Sequence, residues 1–205
     1  MSITLTYPRR SPVEVATALP HRATTNTAER AETAPIVEPR FPDRNDGDDL
    51  IELLFFAYRD FVADPDRILA EYGFGRAHHR VLHFVDRYPG LTIAELLDIL
   101  RITKQSLNRV LKDLIEQGYI VQRTGTSDRR QRLLFCTEAG IRFAEELSRV
   151  QIRRVARALV DQPGRGANDD LGAALASAQS FLLALIEPEE RAAVRRLMAR
   201  RTKAA

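Results

Sequence analysis

At 205 residues, with 44% hydrophobic and 29% charged side chains, the chain fits one compact core plus an appendage, which excludes a large multidomain enzyme. No run approaches the roughly 18 apolar residues of a membrane-spanning helix, the first residues lack the apolar core of a signal peptide, and the single cysteine, Cys136, excludes an intrachain disulfide framework and a thiolate metal cluster. A cytoplasmic protein with no membrane partner is expected. The net charge of +3 is uninformative as a total, but eight basic and three acidic residues fall between Arg101 and Phe135, a local +5 on a remainder of about −2. Such a segment is either a polyanion footprint or a solvated helix face.

Six of the ten prolines lie in the first 42 residues, among Thr, Ala and Arg. Residues 1–45 therefore read as a disordered arm, too poor in large apolar groups to offset its ordering entropy, and the ordered domain as 46–205. Leu50, Leu54, Tyr58 and Phe61 recur at helical intervals behind Asp46, Asp48 and Asp49, whose carboxylates suit a helix N-terminus, so a helix is expected over 48–72. Within it, Asp64 followed by Pro65 reads as an N-cap with proline at the first position, opening a separate short segment to Glu71 before Gly73 and Gly75 break the chain. A helix from Arg76 to Tyr88 then ends at Pro89 and Gly90.

The run from Leu91 to Ile120 is the most informative. Thr92 suits the cap of a short helix with Ile93, Leu96, Leu97 and Leu100 as its apolar stripe, and Thr103 the cap of a second with Leu107, Val110, Leu111 and Leu114. Only Arg101 to Thr103 separate them, so the helices must cross at a large angle, as in a helix-turn-helix. Away from its stripe the second helix presents Lys104, Gln105, Ser106, Asn108, Arg109 and Lys112, side chains able to bond base edges and phosphates. Gly118 closes that helix; Tyr119–Arg123 and Leu133–Thr137 read as strands of a hairpin. Its tip carries Asp128, Arg129 and Arg130, where an arginine can enter a narrow minor groove and a carboxylate can orient it.

These residues resemble the winged helix-turn-helix of the MarR family of bacterial transcriptional regulators. The likeness rests on LTxxEL at Leu91, TKQSLNR at Thr103–Arg109, GYIV at Gly118–Val121, and DxR with T-x-x-G at Asp128, Arg130, Thr137 and Gly140. Looser similarity runs from about Leu50 to EPEERAAVRRLM at Glu187–Met198. The resemblance implies a mainly helical fold: a winged core over 76–137 with a two-stranded wing, and dimerisation helices over 48–72 and 138–200. It further implies a homodimer, more a repressor than an activator, binding double-stranded DNA at a pseudo-palindrome. Thr103, Lys104, Gln105, Ser106, Asn108 and Arg109 would then lie in the major groove and Arg130 in the minor groove, with Asp128 positioning it and Arg129 on phosphate. The stripes Ile141, Ala144, Leu147, Ile152, Val155, Leu159 and Leu171, Leu175, Ala178, Leu182, Leu185 independently suggest long helices with more apolar surface than one chain covers. The arm and the interruption at Gln162–Asp169, with Pro163, Gly164 and Gly166, depart from the family pattern.

The resemblance also implies a small aromatic or anionic effector. By composition, Phe55, Tyr58, Arg59, His79 and His83 suit such a ligand, with core packing as the alternative for Phe55 and Tyr58. His79, His83 and Asp86 share one helix face at a spacing compatible with a metal, but no fourth ligand is visible, so neither metal nor cofactor is expected. Cys136, between apolar neighbours, reads as a small buried hydrophobe. No phosphate-binding loop, nucleophile elbow or HExxH run is present, which argues against an enzyme. Two other functions remain open: a winged-helix module docking another protein, and a metal- or redox-gated regulator. The joint presence of Lys104, Arg109, Lys112 and Arg130 favours DNA over a protein partner.

Overall fold

A computed structural model describes residues 43–125, 130–161 and 170–202. The arm expected over 1–45, apart from its last three residues, lies outside them, as do Asp128 and Arg129 of the hairpin tip and the Gln162–Asp169 interruption.

Helix α1 (Arg44–Glu71) starts four residues before the expected position because Asp43, not a later aspartate, caps it: its carboxylate accepts from Asn45 N–H at 3.0 Å, and Asp46 reaches back to Asp43 N–H at 3.2 Å. The expected break at Asp64-Pro65 does not occur, and Pro65 sits inside a continuous helix. Proline there forfeits one helical hydrogen bond, but Val62 and Leu69 are buried on either side of it. Asp64, instead of capping, accepts two hydrogen bonds from Arg154 at 2.7 and 3.2 Å. Tertiary packing thus overrides the local stop signal. The real end is a Schellman turn: Gly73 at φ +70° lets its own N–H bond Ala70 O and the N–H of Phe74 bond Leu69 O.

Helix α2 (Arg76–Arg87) leads to a two-residue strand β1 (Leu91–Thr92), then α3 (Ile93–Leu100) and α4 (Lys104–Glu116). Strands β2 (Ile120–Thr124) and β3 (Arg132–Cys136) form the hairpin, and α5 (Glu138–Val160), α6 (Leu171–Ala184) and α7 (Pro188–Thr202) follow. The sheet has three antiparallel strands in the order β1-β3-β2, not two. Leu91 and Gln122 both pair with Leu134, which is fully buried. A strand of two residues has no periodicity to read, so sequence could not reveal β1. The expected span 138–200 likewise resolves into three separate helices among the described residues.

The core is formed by Leu82, Val85, Leu96, Leu100, Leu107, Leu111, Leu114, Ile120, Leu134 and Leu147, contributed by α2 to α5 and the sheet. Thr92 and Thr103 cap α3 and α4 as their sequence predicts, Thr92 through a reciprocal box with Glu95. Between them Arg101 adopts φ +51°, the left-handed turn that reverses the chain. An ion pair from Arg101 to Glu190 and another from Arg200 to Glu95 at 2.8 Å lay α7 along α3. Arg191 donates to the carbonyls of Ala184, the last residue of α6, and of Ile186 in the turn that follows, each at 2.7 Å. Three arginines of the basic C-terminal segment and of the helix turn thus serve internal contacts.

The Thr137 and Gly140 positions of the wing motif have physical causes. Thr137 caps α5 by accepting from Gly140 N–H at 3.0 Å and donates to Gly118 O at 2.7 Å. A Cβ on Gly140 would lie 2.1 Å from Tyr119 O, so only glycine lets α5 start against the foot of β2.

Candidate nucleic-acid interface

Helix α4 divides cleanly into two faces. Leu107, Val110, Leu111 and Leu114 are buried, whereas Thr103, Lys104, Gln105, Ser106, Asn108, Arg109 and Lys112 are all exposed. The stripe fixes which way the helix faces, and the polar residues therefore form one continuous outer edge. Thr103 and Ser106 are mutually bonded through their hydroxyls at 2.9 Å, and Lys112 lies 3.7 Å from Glu116. Among the described residues, no hydrogen bond or ion pair engages the side chains of Lys104, Gln105, Asn108 or Arg109. Two cations and two amides are thus left with unused donors and acceptors on an exposed helix, the combination suited to phosphates and base edges.

The hairpin extends beyond this helix. Arg132 donates to Thr124 at 2.7 Å across the strands, Gly125 N–H bonds Gln131 O at 3.0 Å, and the Arg123 guanidinium lies 4.9 Å from the centre of the Phe135 ring. Arg130 is exposed at the edge of the described tip. The strands are thereby stiffened up to the basic tip.

Sequence reasoning missed one residue of this region. The half-buried His78 ring on α2 stands 3.1 Å from the Asp113 carboxylate on α4. No local pattern joins residues 35 positions apart, so only the fold exposes this pair.

A separate cavity of about 390 Å3 lies among α1, α2 and α5, lined by Tyr58, Phe61, Val62, Arg76, His79, Arg80, His83, Phe84 and Gln151. It brings together Tyr58, His79 and His83 from the expected effector set but neither Phe55 nor Arg59. Arg59 is about 100° around the helix from Tyr58, and it engages Asp60 at 2.8 Å and the Phe56 ring. Phe55 is 70% exposed in the apolar strip of α1. Burial, reinforced by His83, pushes His79 down to about 4, and burial with Arg87 lowers His83, so both imidazoles are neutral at pH 7. Arg76 and Arg80 are the cations in this lining.

Among the described residues no group of three His, Cys, Asp or Glu side chains could hold a metal ion. Cys136 is pushed up to about 12 by burial, then by Asp86, and its thiol faces Leu82 O at 3.9 Å. No helix among the described residues is long and apolar enough to cross a membrane.

Comparison with known proteins agrees with this geometry. The family model described as MarR family matches residues 72–131. The HTH-type transcriptional regulator PetP of Rhodobacter capsulatus is 51% identical over 119 residues, covering 57% of this chain and 72% of that protein. Among solved structures, Streptococcus pneumoniae FabT, determined in complex with DNA, aligns with a TM-score of 0.56 at 18% identity, covering 69% of this chain and all of the other. A MarR transcriptional regulator from Methanosarcina mazei Go1 gives 0.51 at 20% identity, covering 66% of this chain and 94% of the other. At these identities the two structures establish the shared fold.

Proposed function

Since this chain belongs to the MarR family of winged helix-turn-helix transcriptional regulators, we propose that it represses transcription as a cytoplasmic homodimer bound to a pseudo-palindromic operator, under control of a small effector. It is a regulator and not an enzyme. The observation that carries the DNA reading is the outer edge of α4, where Lys104, Gln105, Asn108 and Arg109 stand exposed beside an anchored hairpin. Thr103 and Ser106 complete the major-groove set, Lys112 adds a DNA-binding cation on the same edge, and Arg130 reads the minor groove, with Asp128 orienting it and Arg129 on phosphate. That FabT was solved with DNA supports the reading.

The dimer is supported by apolar side chains that one chain leaves in water. Leu53, Phe55 and Phe56 on α1, Ile152 on α5 and Leu182 on α6 are each more than half exposed, and surfaces of this kind mark subunit contacts. Two winged cores in one dimer would meet half-sites about one helical turn, roughly 10 bp, apart. The cavity around Tyr58, His79 and His83 suits an aromatic anion: its walls are aromatic and aliphatic, its imidazoles are neutral, and Arg80 supplies positive charge, Arg76 being paired with Asp66 at 2.8 Å. Because it borders both α1 and α2, a ligand that prefers one spacing of the winged cores would shift DNA affinity by its preference for that state.

Titration of a duplex selected from random sequence tests the reading. Two chains per duplex, and affinity lowered by an aromatic carboxylate in the wild type but not in Arg80→Ala, are expected. One chain per duplex would overturn the dimer, and an undiminished ligand response in Arg80→Ala would overturn the cavity as effector site.

A further inference from the structure

The pair between His78 and Asp113 lies behind the exposed edge of α4 and is not part of it. Asp113 is on the same helix as Arg109, one turn later, and its carboxylate accepts from the His78 Nε2–H at 3.1 Å. The other ring nitrogen is occupied: Nδ1 accepts from Gly75 N–H at 3.2 Å. A ring that accepts at Nδ1 carries its proton on Nε2, so the cap of α2 selects the tautomer that donates to Asp113.

The ring is held on its faces as well. Phe74 stacks on it with centres 4.7 Å apart, and Phe74 belongs to an aromatic cluster with Tyr119 at 5.6 Å and Phe143 of α5 at 6.1 Å. His78 is therefore held by stacking against Phe74, which in turn touches Phe143 of α5, and is tied to the start of α2 by a hydrogen bond and to α4 by a second. The buried face of α4 is aliphatic, formed by Leu107, Val110, Leu111 and Leu114, and aliphatic packing alone permits small rotations that a directional bond does not.

We propose that the His78–Asp113 hydrogen bond sets the rotation of α4 about its axis, making His78 a positioning residue for sequence recognition. The proposal rests on the DNA reading above. Rotation matters to base contacts more than to phosphate contacts, because a bidentate base pair tolerates little misalignment whereas a cation near a phosphate is forgiving. Loss of the bond should thus reduce the preference for the operator over scrambled DNA more than it reduces binding to DNA in general.

The test is the ratio of operator to scrambled-duplex affinity, at one salt concentration and well below the melting temperature, for wild type, Asp113→Ala, Asp113→Asn, His78→Phe and the double variant His78→Phe/Asp113→Ala. Both Asp113 variants remove the same negative charge near DNA, but only Asn keeps an acceptor for Nε2–H. His78→Phe keeps a ring against Phe74 without a donor. A charge-assisted bond supports an expected fall of about tenfold in the ratio for Asp113→Ala and His78→Phe. Asp113→Asn should stay within about twofold of wild type, and the double variant should be no worse than either single. Equal ratios for Asp113→Ala and Asp113→Asn, with a high wild-type ratio, would overturn the positioning role alone. A wild-type ratio of one would overturn the DNA reading and this proposal with it.

Discussion

Replacing Gly140 by alanine isolates one steric constraint at the joint between the hairpin and α5. The added methyl would stand 2.1 Å from Tyr119 O and 3.0 Å from its carbonyl carbon, where an ordinary contact needs about 3.5 Å. The obstacle is backbone and cannot swing aside. Tyr119 O accepts Thr137 N–H at 3.0 Å, and its neighbour Gly118 O accepts the Thr137 hydroxyl at 2.7 Å, so moving it disturbs the foot of the hairpin and the α5 cap together. Overpacking of this kind costs about 1–3 kcal/mol and a lost hydrogen bond about 1 more, giving about 2–4 kcal/mol. Gly118→Ala provides the contrast: nothing lies within 4 Å of its Cβ position, but φ is +78°, so only the left-handed penalty of about 1–2 kcal/mol applies. Urea unfolding followed by circular dichroism at fixed protein concentration measures both. A loss below about 0.5 kcal/mol for Gly140→Ala, or a larger loss for Gly118→Ala, would refute the reasoning.

Three further outcomes follow from the site. His79 holds a folded-state value of about 4 against an ordinary 6.5, so the unfolded chain takes up the proton first and stability falls as pH drops from about 6.5 toward 4. At about 1.4 kcal/mol per unit the loss is at most about 3.5 kcal/mol, and His79→Gln should remove that part of the slope in a pH series of urea midpoints; an identical slope would refute it. With its thiol pushed up to about 12 by burial, Cys136 should resist iodoacetamide at pH 8 in the folded protein and react once urea unfolds it, whereas rapid labelling of native protein would contradict its burial. Arg130→Ala should weaken operator binding by about 1–3 kcal/mol while the chain stays folded, as expected for one lost DNA contact; wild-type affinity in a fluorescence-anisotropy titration would remove Arg130 from the interface.

What sequence revealed were features whose signal is local. Thr92 and Thr103 act as caps, and Gly118 at φ +78° closes α4, because capping depends on residues within one turn. The apolar stripe of α4 was legible for the same reason, and with it the identity of the exposed edge. Pro65 was misleading because its local cost is outweighed by Val62, Leu69 and the Arg154–Asp64 bonds, contacts that no window around residue 65 contains. His78 carries no local signal, since its partner, Asp113, is distant in sequence. Phe55, Tyr58, Arg59, His79 and His83 suit a ligand by composition alike, but only Tyr58, His79 and His83 meet in the cavity, because composition does not say which side of α1 meets α2.

The exposed edge of α4 and the hairpin arginines are expected to bind DNA by sequence. The most direct measurement is the affinity of the wild-type chain for a duplex selected from random sequence and for its scrambled counterpart, across a salt series, with Arg109→Ala measured in parallel. Strong preference for the selected duplex is expected, with an affinity that falls steeply with salt, the log–log slope becoming shallower in Arg109→Ala if Arg109 meets a phosphate and the preference shrinking if it meets a base. Salt-insensitive binding, or equal affinity for both duplexes, would contradict it.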